Sequence, residues 1–400
     1  MYNDCYNSNF HVVLMYKRLF NLPLESNHSF FIFGPRGTGK TSWLKNTLPT
    51  DSYIYIDLLD NYTFRTLLAQ PEMLSQLITH NFQGWIIIDE IQKIPALLDE
   101  VHRLIEHEKR KFILTGSSAR KLKRQGVNLL AGRAVRYTMH PLTLQELDAD
   151  FQLETALKLG MLPAIYTYTD PTGYLLTYID IYLREEVMQE GLTRNIAAFS
   201  RFLEVASFSQ GNIINATEIA REIGVDRQVV QNYFSILEDL LLSHTLPAFT
   251  KRAKRRLITS EKFYYFDAGI YQALRPKGLF DVSSEIGGAS LETLFFQSVL
   301  ALIDYNKLTY KPYYWRTTNG VEVDFILYGE KALLAFEIKH SQTVHSRMLT
   351  GLKHFKQDYP MAKCFILYLG SQALYLNNEI TALPFVEALK KLPALLQQAD

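Results

Sequence analysis

Cysteine is nearly missing from the 400 residues: there are two, Cys5 and Cys364, far apart and without metal-ligand spacing. That excludes a disulfide framework and fits a chain of the reducing cytoplasm. An excess of charge is missing too. The 42 Lys and Arg against 41 Asp and Glu name no polyionic partner, so charge has to be read segment by segment. No 18-residue apolar stretch stands out, so no membrane span is expected. The early run FHVVLMYKRLF is short and broken by Lys17 and Arg18, which argues against a signal peptide. Internal repeats and low-complexity segments are also absent. What remains is 48% hydrophobic and 21% charged, enough apolar matter for a sizeable core, at a length that predicts two to four domains.

The stretch FFIFGPRGTGKTSWLKN, residues 30–46, reads as a buried strand, a Gly-rich loop and a helix. Gly34, Gly39, Lys40 and Thr41 spell G-x-x-x-x-G-K-T, so Gly34, Pro35, Arg36, Gly37, Thr38, Gly39, Lys40, Thr41 and Ser42 are expected to cradle ATP phosphates. Unpaired amides converge at such a loop, and the helix dipole favours anions. Lys40 should reach the β and γ phosphates, and the Thr41 hydroxyl should ligate Mg²⁺. In WIIIDE, residues 85–90, the apolar run suits a strand buried on both faces. Asp89 at its end would hold Mg²⁺ through water, and Glu90 would orient and polarise the attacking water. Further strands are expected at SYIYID, KFILTGSS and AVRYTMH, with helices over NYTFRTLLAQPEMLSQLITH and 95–109. The alternation predicts a doubly wound α/β nucleotide-binding domain.

GPRGTGKT, IIIDEIQKIP, FILTGSSARKL and LLAGRAVRYTMHPLTLQEL, in this order, resemble the prokaryotic AAA-type ATPases of the archaeal-ATPase-like group. The resemblance implies a γ-phosphate sensor at Ser117 or Ser118. It also implies a sensing or trans-acting arginine at Arg133, with Arg120 and Arg136 as competitors and a structural salt bridge as the alternative. A trans-acting arginine would require a homo-oligomer.

Downstream, residues 141–210 turn helical, LTYIDIYLREEVMQEGL being the clearest amphipathic piece. Over 211–280, NATEIAREIGVDRQVVQNYFSILEDLLL suggests a winged helix: Thr217 caps a short helix, Gly224-Val225 turns, and Asp226 caps a longer one. Ile219, Ala220, Ile223, Val229, Val230, Phe234 and Leu237 would form its core. Arg227, Gln228, Gln231 and Asn232 would face outward in the DNA-reading position. A wing follows with Lys251, Arg252, Lys254, Arg255 and Arg256, five basic residues in six, which either contact nucleic-acid phosphates or serve as a solvated or inter-domain surface.

In WRTTNGVEVDFILYGEKALLAFEIKHS, from Trp315, period-2 alternation puts Glu322 and Asp324 on one strand face and Glu337 and Lys339 on one face of the next. Paired as a hairpin, these strands bring Asp324, Glu337 and Lys339 together, as metal-dependent phosphodiester cleavage requires. The context resembles the PD-(D/E)xK nuclease core, with Glu292 on the preceding helix and Val323 where the proline of the name would stand. Over residues 25–385 the chain resembles prokaryotic ATPases with an AAA-type N-terminal domain and a nuclease-like end. The expected architecture is multidomain α/β. It comprises an N-terminal extension (1–24), a P-loop domain (25–140), a helical segment (141–210), a winged helix (211–280) and a restriction-endonuclease-like domain (285–390). ATP and Mg²⁺ are the implied ligands, with a second Mg²⁺ or Mn²⁺ at Asp324, Glu337 and Glu292, and DNA as partner. Two readings stand: an ATPase controlling a nuclease, or a nucleotide switch whose C-terminal domain binds a partner without cutting.

Overall fold

A computed structural model describes residues 16–118, 130–183, 195–279, 281–376 and 379–397. Five parallel strands build the first sheet: β1 (Ser29–Phe33), β2 (Tyr53–Asp57), β3 (Trp85–Asp89), β4 (Lys111–Gly116) and β5 (Ala134–Thr138), in the order β2-β3-β4-β1-β5. β1 and β3 are buried at every position because helices cover both faces, which is why both read as unbroken apolar runs. The helices are α1 (Lys40–Thr47), α2 (Asn61–Ala69) and α3 (Leu97–Glu108). The expected long helix after β2 ends at Ala69, because Pro71 lacks the N–H that would continue it; a 3₁₀ stretch over Pro71–Leu77 follows.

The middle module is helical: α4 (Leu144–Leu147), α5 (Leu153–Leu159), α6 (Pro171–Thr177), α7 (Ile196–Ser207), α8 (Ala216–Ile223), α9 (Arg227–Asp239) and α10 (Ala268–Leu274). Of the amphipathic piece expected over 176–192, residues 184–192 lie outside the described residues. Gly224 closes α8 in the left-handed conformation, and α9 is followed by an antiparallel pair, β6 (Ser243–Leu246) and β7 (Lys262–Tyr265). Two caps differ from expectation. Asn215, not Thr217, caps α8 by accepting from Glu218 N at 3.3 Å, and Asp226 makes no side-chain cap bond. The connection between β6 and β7 does not project as a free wing. It lies along the edge of the C-terminal sheet, where Phe249 N donates to Tyr314 O at 2.7 Å and Ile258 N to Arg316 O at 3.0 Å.

The C-terminal module opens with α11 (Ser283–Tyr305) and contains β8 (Lys311–Arg316), β9 (Glu322–Tyr328), β10 (Leu333–Lys339), α12 (Thr350–Asp358), β11 (Lys363–Tyr368), β12 (Leu374–Leu376), β13 (Ile380–Pro384) and α13 (Phe385–Gln397). The strand order is β12-β13-β11-β10-β9-β8. α11 packs Leu294, Phe295 and Val299 on one face with Phe325 and Phe336, while α12 packs Leu352 and Phe355 on the other with Val323 and Ile326. The expectation of no apolar span needs one correction. By length and composition α11 could cross a membrane, although most of the qualifying window is buried inside the fold. Interruption by Glu292 hid it in the sequence, and its burial is that of a core helix.

Candidate nucleotide site and acidic cluster

The loop after β1 can turn tightly because Gly37 and Gly39 adopt φ of +81° and +91°, a region that strains any residue with a Cβ. Gly39 also caps α1, so α1 opens directly beneath the loop. Lys40 is 6% exposed, and its ammonium donates to Gly34 O at 2.8 Å and Pro35 O at 3.1 Å. A buried ammonium is costly without partners, and these carbonyls keep it at the loop mouth. The Thr41 hydroxyl donates to Asp89 Oδ2 at 2.7 Å, and Asp89 also accepts from the Tyr55 and Thr115 hydroxyls. Burial and the Asp89 charge push the Tyr55 phenol well above its ordinary value, so it remains a donor. An all-oxygen set of Thr41 and Asp89 beside a phosphate loop suits Mg²⁺, which would neutralise phosphate charge there.

Glu90 follows Asp89 in a left-handed conformation, φ 60°, which turns its side chain out of the strand direction. Its carboxylate accepts from Gln92 Nε2, and the same amide donates to Ser117 Oγ at 3.0 Å. Ser117 therefore belongs to the site. Ser118 does not; its hydroxyl donates to Asp239 O at 2.8 Å, at the end of α9.

Arg133 precedes β5 at the end that pairs with Ser29, whereas the phosphate loop leaves β1 at the opposite end, beyond Phe33. It forms an ion pair with Glu106. Sensing phosphate in its own site is thereby overturned for Arg133, since a five-residue strand separates the two ends by about 16 Å. Arg136 stacks over Phe33, and Arg120 lies outside the described residues.

The loop's arginine neighbour is one that motif reading passed over. Arg18 is almost fully buried, donates Nη1 to Thr38 O at 2.6 Å and Nη2 to His140 O at 2.6 Å, and pairs through Nε with Glu146 at 2.9 Å. Tyr305, the last residue of α11, reaches the same guanidinium at 3.2 Å. The only sequence signal was a charge placed inside the apolar run FHVVLMYKRLF. A cavity of about 960 Å³ opens here, walled by Phe20, Trp43, Pro163, Tyr168 and Tyr174 besides the loop. Its aromatic and aliphatic walls with polar groups at one end suit a base and ribose above a phosphate site. Tyr178 OH donates to Arg36 O at 3.0 Å, tying the loop to the helical module.

In the C-terminal module β9 and β10 pair antiparallel and bring Asp324, Glu337 and Lys339 together, as the alternation implied, and Glu292 of α11 joins the same cluster. Asp324 Oδ2 accepts from Ile338 N at 2.8 Å, and Lys339 Nζ stands 2.6 Å from Glu337 Oε1 and 4.0 Å from Asp324. Burial first, then the Asp324 charge, raises both Glu337 and Glu292 well above the ordinary carboxylate range. The metal assignment does not fit this arrangement. Among the described residues no three His, Cys, Asp or Glu side chains are disposed to hold a metal ion. Two ammonium groups stand among the carboxylates instead: Lys339 and, unforeseen from the sequence, Lys262 of β7, which pairs with Glu322.

Arg227, Gln228, Gln231 and Asn232 are exposed on α9, as are Lys251, Arg252, Lys254 and Arg256. Arg255 turns inward to Asp358 at 2.7 Å.

Residues 26–148 match the model of an AAA domain; 150–281 and 287–388 match two domains of unknown function, DUF8612 and DUF4143. Uncharacterised proteins of Mycobacterium tuberculosis and Mycobacterium bovis are each 26% identical over 359 residues, covering 88% of this chain and 78% of theirs. One of Methanocaldococcus jannaschii is 24% identical over 340 residues, covering 77% and 74%. Among solved structures, DNA-bound ORC1 of Aeropyrum pernix aligns with a TM-score of 0.25 at 15% identity, covering 62% of this chain and 86% of that one. Protein VC1899 of Vibrio cholerae gives 0.24 at 11%, covering 92% and 98%. Neither likeness is close enough to carry an argument about fold. The N-terminal module is an AAA-type P-loop domain.

Proposed function

We propose that the protein is an Mg²⁺-dependent cytoplasmic ATPase whose nucleotide state governs its C-terminal module. The observation that carries the ATPase reading is the joined set at one cavity: Lys40 at the loop mouth, Thr41 bonded to Asp89 at 2.7 Å, and Glu90 beside them under Gln92. In this reading Lys40 binds the β and γ phosphates. Glu90 accepts a proton from water and aligns it, and Ser117 reports the γ-phosphate through Gln92. Lys40→Ala should abolish ATP binding, whereas Glu90→Gln should bind ATP and turn it over about 10²–10⁴-fold more slowly, the range for loss of a general base. Normal turnover by Glu90→Gln would remove Glu90 from the role.

The finer part of the reading is that the acidic cluster is a nuclease centre gated by ATP and acting on DNA. Support comes from the convergence of Asp324, Glu337, Lys339 and Glu292 and from the exposed basic residues of the 251–256 run. Arg133 keeps one role in it, as a trans-acting arginine in a homo-oligomer. The second reading, a nucleotide switch that engages a partner without cutting, is favoured by the two lysines standing where a metal would bind. Labelled double- and single-stranded DNA, incubated with Mg²⁺ or Mn²⁺ with and without ATP, separates the two. Cleavage lost in Glu337→Ala supports the nuclease, and no cleavage under any condition supports the switch.

A further inference from the structure

Asp89 is gripped on both of its carboxylate oxygens. Thr115, fully buried on β4, donates to Oδ1 and accepts from Glu90 N at 3.3 Å. Thr41 donates to Oδ2 at 2.7 Å, and the Tyr55 hydroxyl donates to that same oxygen. A carboxylate offers about four lone-pair sites, so most are already taken by side chains of the protein.

Tyr55 reaches Asp89 because of where β2 and α1 lie. The parallel register sets Tyr55 beside Ile87 and Asp57 beside Asp89. Residues two apart share a strand face, so Tyr55 stands on the side of the sheet that carries Ile87 and Asp89. There its ring packs against the cluster formed by Ile87 with Trp43 and Leu44 of α1. Lys45 lies one helical turn beyond Thr41, and its ammonium stands 4.5 Å from the centre of the Tyr55 ring. The phenol is therefore fixed between α1, at its ring, and Asp89, at its hydroxyl.

Packing explains the ring but not the hydroxyl, which a phenylalanine on the same apolar face would lack. The hydroxyl matters to Asp89. Thr41 has two tasks in the nucleotide site, holding Oδ2 and offering its own oxygen to Mg²⁺. Tyr55 gives Oδ2 a second anchor that has no such competing task. Groups that orient a metal's ligands from behind govern metal affinity by about 10–100-fold.

We propose that Tyr55 is a positioning residue for the Mg²⁺ of the nucleotide site, fixing Asp89 so that metal and nucleotide bind together. This rests on reading the loop as an Mg²⁺-dependent ATP site and goes beyond it in naming the side chain that sets the metal requirement.

The test is calorimetric binding of AMP-PNP, an ATP analogue that resists cleavage, to the full chain in excess Mg²⁺ and in EDTA. The ratio of the two affinities is the gain from Mg²⁺. Tyr55→Phe should lower that gain about 10-fold and leave binding in EDTA within a factor of about two. In an Asp89→Asn background the same substitution should change nothing, because Tyr55 acts through Asp89. Three results overturn the proposal while leaving the ATP site standing: a Tyr55→Phe gain equal to or above that of wild type, an equal loss with and without Mg²⁺, or a loss that persists in Asp89→Asn. A wild-type chain that gains nothing from Mg²⁺ overturns both. A Tyr55→Phe chain that does not fold refutes the positioning role too, since only one half-buried hydroxyl has been removed, and assigns Tyr55 to the fold.

Discussion

Glu90 occupies a backbone region that costs a non-glycine residue about 1–2 kcal/mol, and its carboxylate is clasped by an amide whose own Oε1 is buried without a partner. Strain and an unsatisfied acceptor beside a phosphate loop mark Gln92 as the residue that positions the base. Gln92→Ala should lower kcat about 10–100-fold while leaving ATP affinity within a factor of about three, since a misaligned base loses part of its 10²–10⁴-fold effect. Steady-state hydrolysis alongside equilibrium ATP binding checks this; an equal loss in both would assign Gln92 to the pocket. Lys40, Thr41, Asp89 and Glu90 were legible because their chemistry is local, a loop and a strand end. Gln92 was invisible because its role arises from two side chains, Glu90 and Ser117, that meet only after β3 and β4 pair.

Alternation along β9 and β10 was enough to foretell that Asp324, Glu337 and Lys339 share a face, since a two-residue period leaves little freedom once a hairpin forms. It could not foretell Lys262, on a strand more than fifty residues upstream. Nor could composition show that the residues flanking the 251–256 run, Phe249 and Ile258, bond to the edge strand β8. That placement divides the basic residues. If DNA binds here, reversing Lys251, Arg252, Lys254 or Arg256 should each weaken binding and flatten its salt dependence by about one unit of slope. Arg255→Glu should instead lower stability, because it strands Asp358. On β6, burial and the neighbouring His140 push His244 down to about 4, below the ordinary 6.5 of an unfolded chain. Between those values the unfolded chain binds the extra proton, so stability should fall as pH drops from 6.5 toward 4, by at most about 1.4 kcal/mol per pH unit. Thermal unfolding across that range should be flatter in His244→Phe, and an unchanged pH slope would exclude His244 as its source.

Arg18 joins parts of the chain that sequence order keeps far apart: Thr38 in the phosphate loop, Glu146 in the middle module and Tyr305 in the C-terminal module. α11 then runs from Tyr305 back to Glu292, about 20 Å along one helix at 1.5 Å per residue, so a single helix connects Arg18, beside the nucleotide loop, with one member of the acidic cluster. Arg18→Ala should cost about 3–5 kcal/mol in denaturant unfolding, because Glu146 keeps its bonds from Leu19 and Thr143 but loses its buried counter-charge. The same variant should bind ATP more weakly. A loss below about 1 kcal/mol would mean that the guanidinium does not hold the modules together.

The central claim, that the chain hydrolyses ATP with Glu90 as base, is tested most directly by single-turnover hydrolysis of bound ATP. Wild type, Glu90→Gln and Lys40→Ala should be compared after ATP binding has been measured independently. The account predicts ATP bound and cleaved by wild type, bound but held almost intact by Glu90→Gln, and not bound by Lys40→Ala. ATP bound by wild type without cleavage, or cleaved equally by Glu90→Gln, would contradict it.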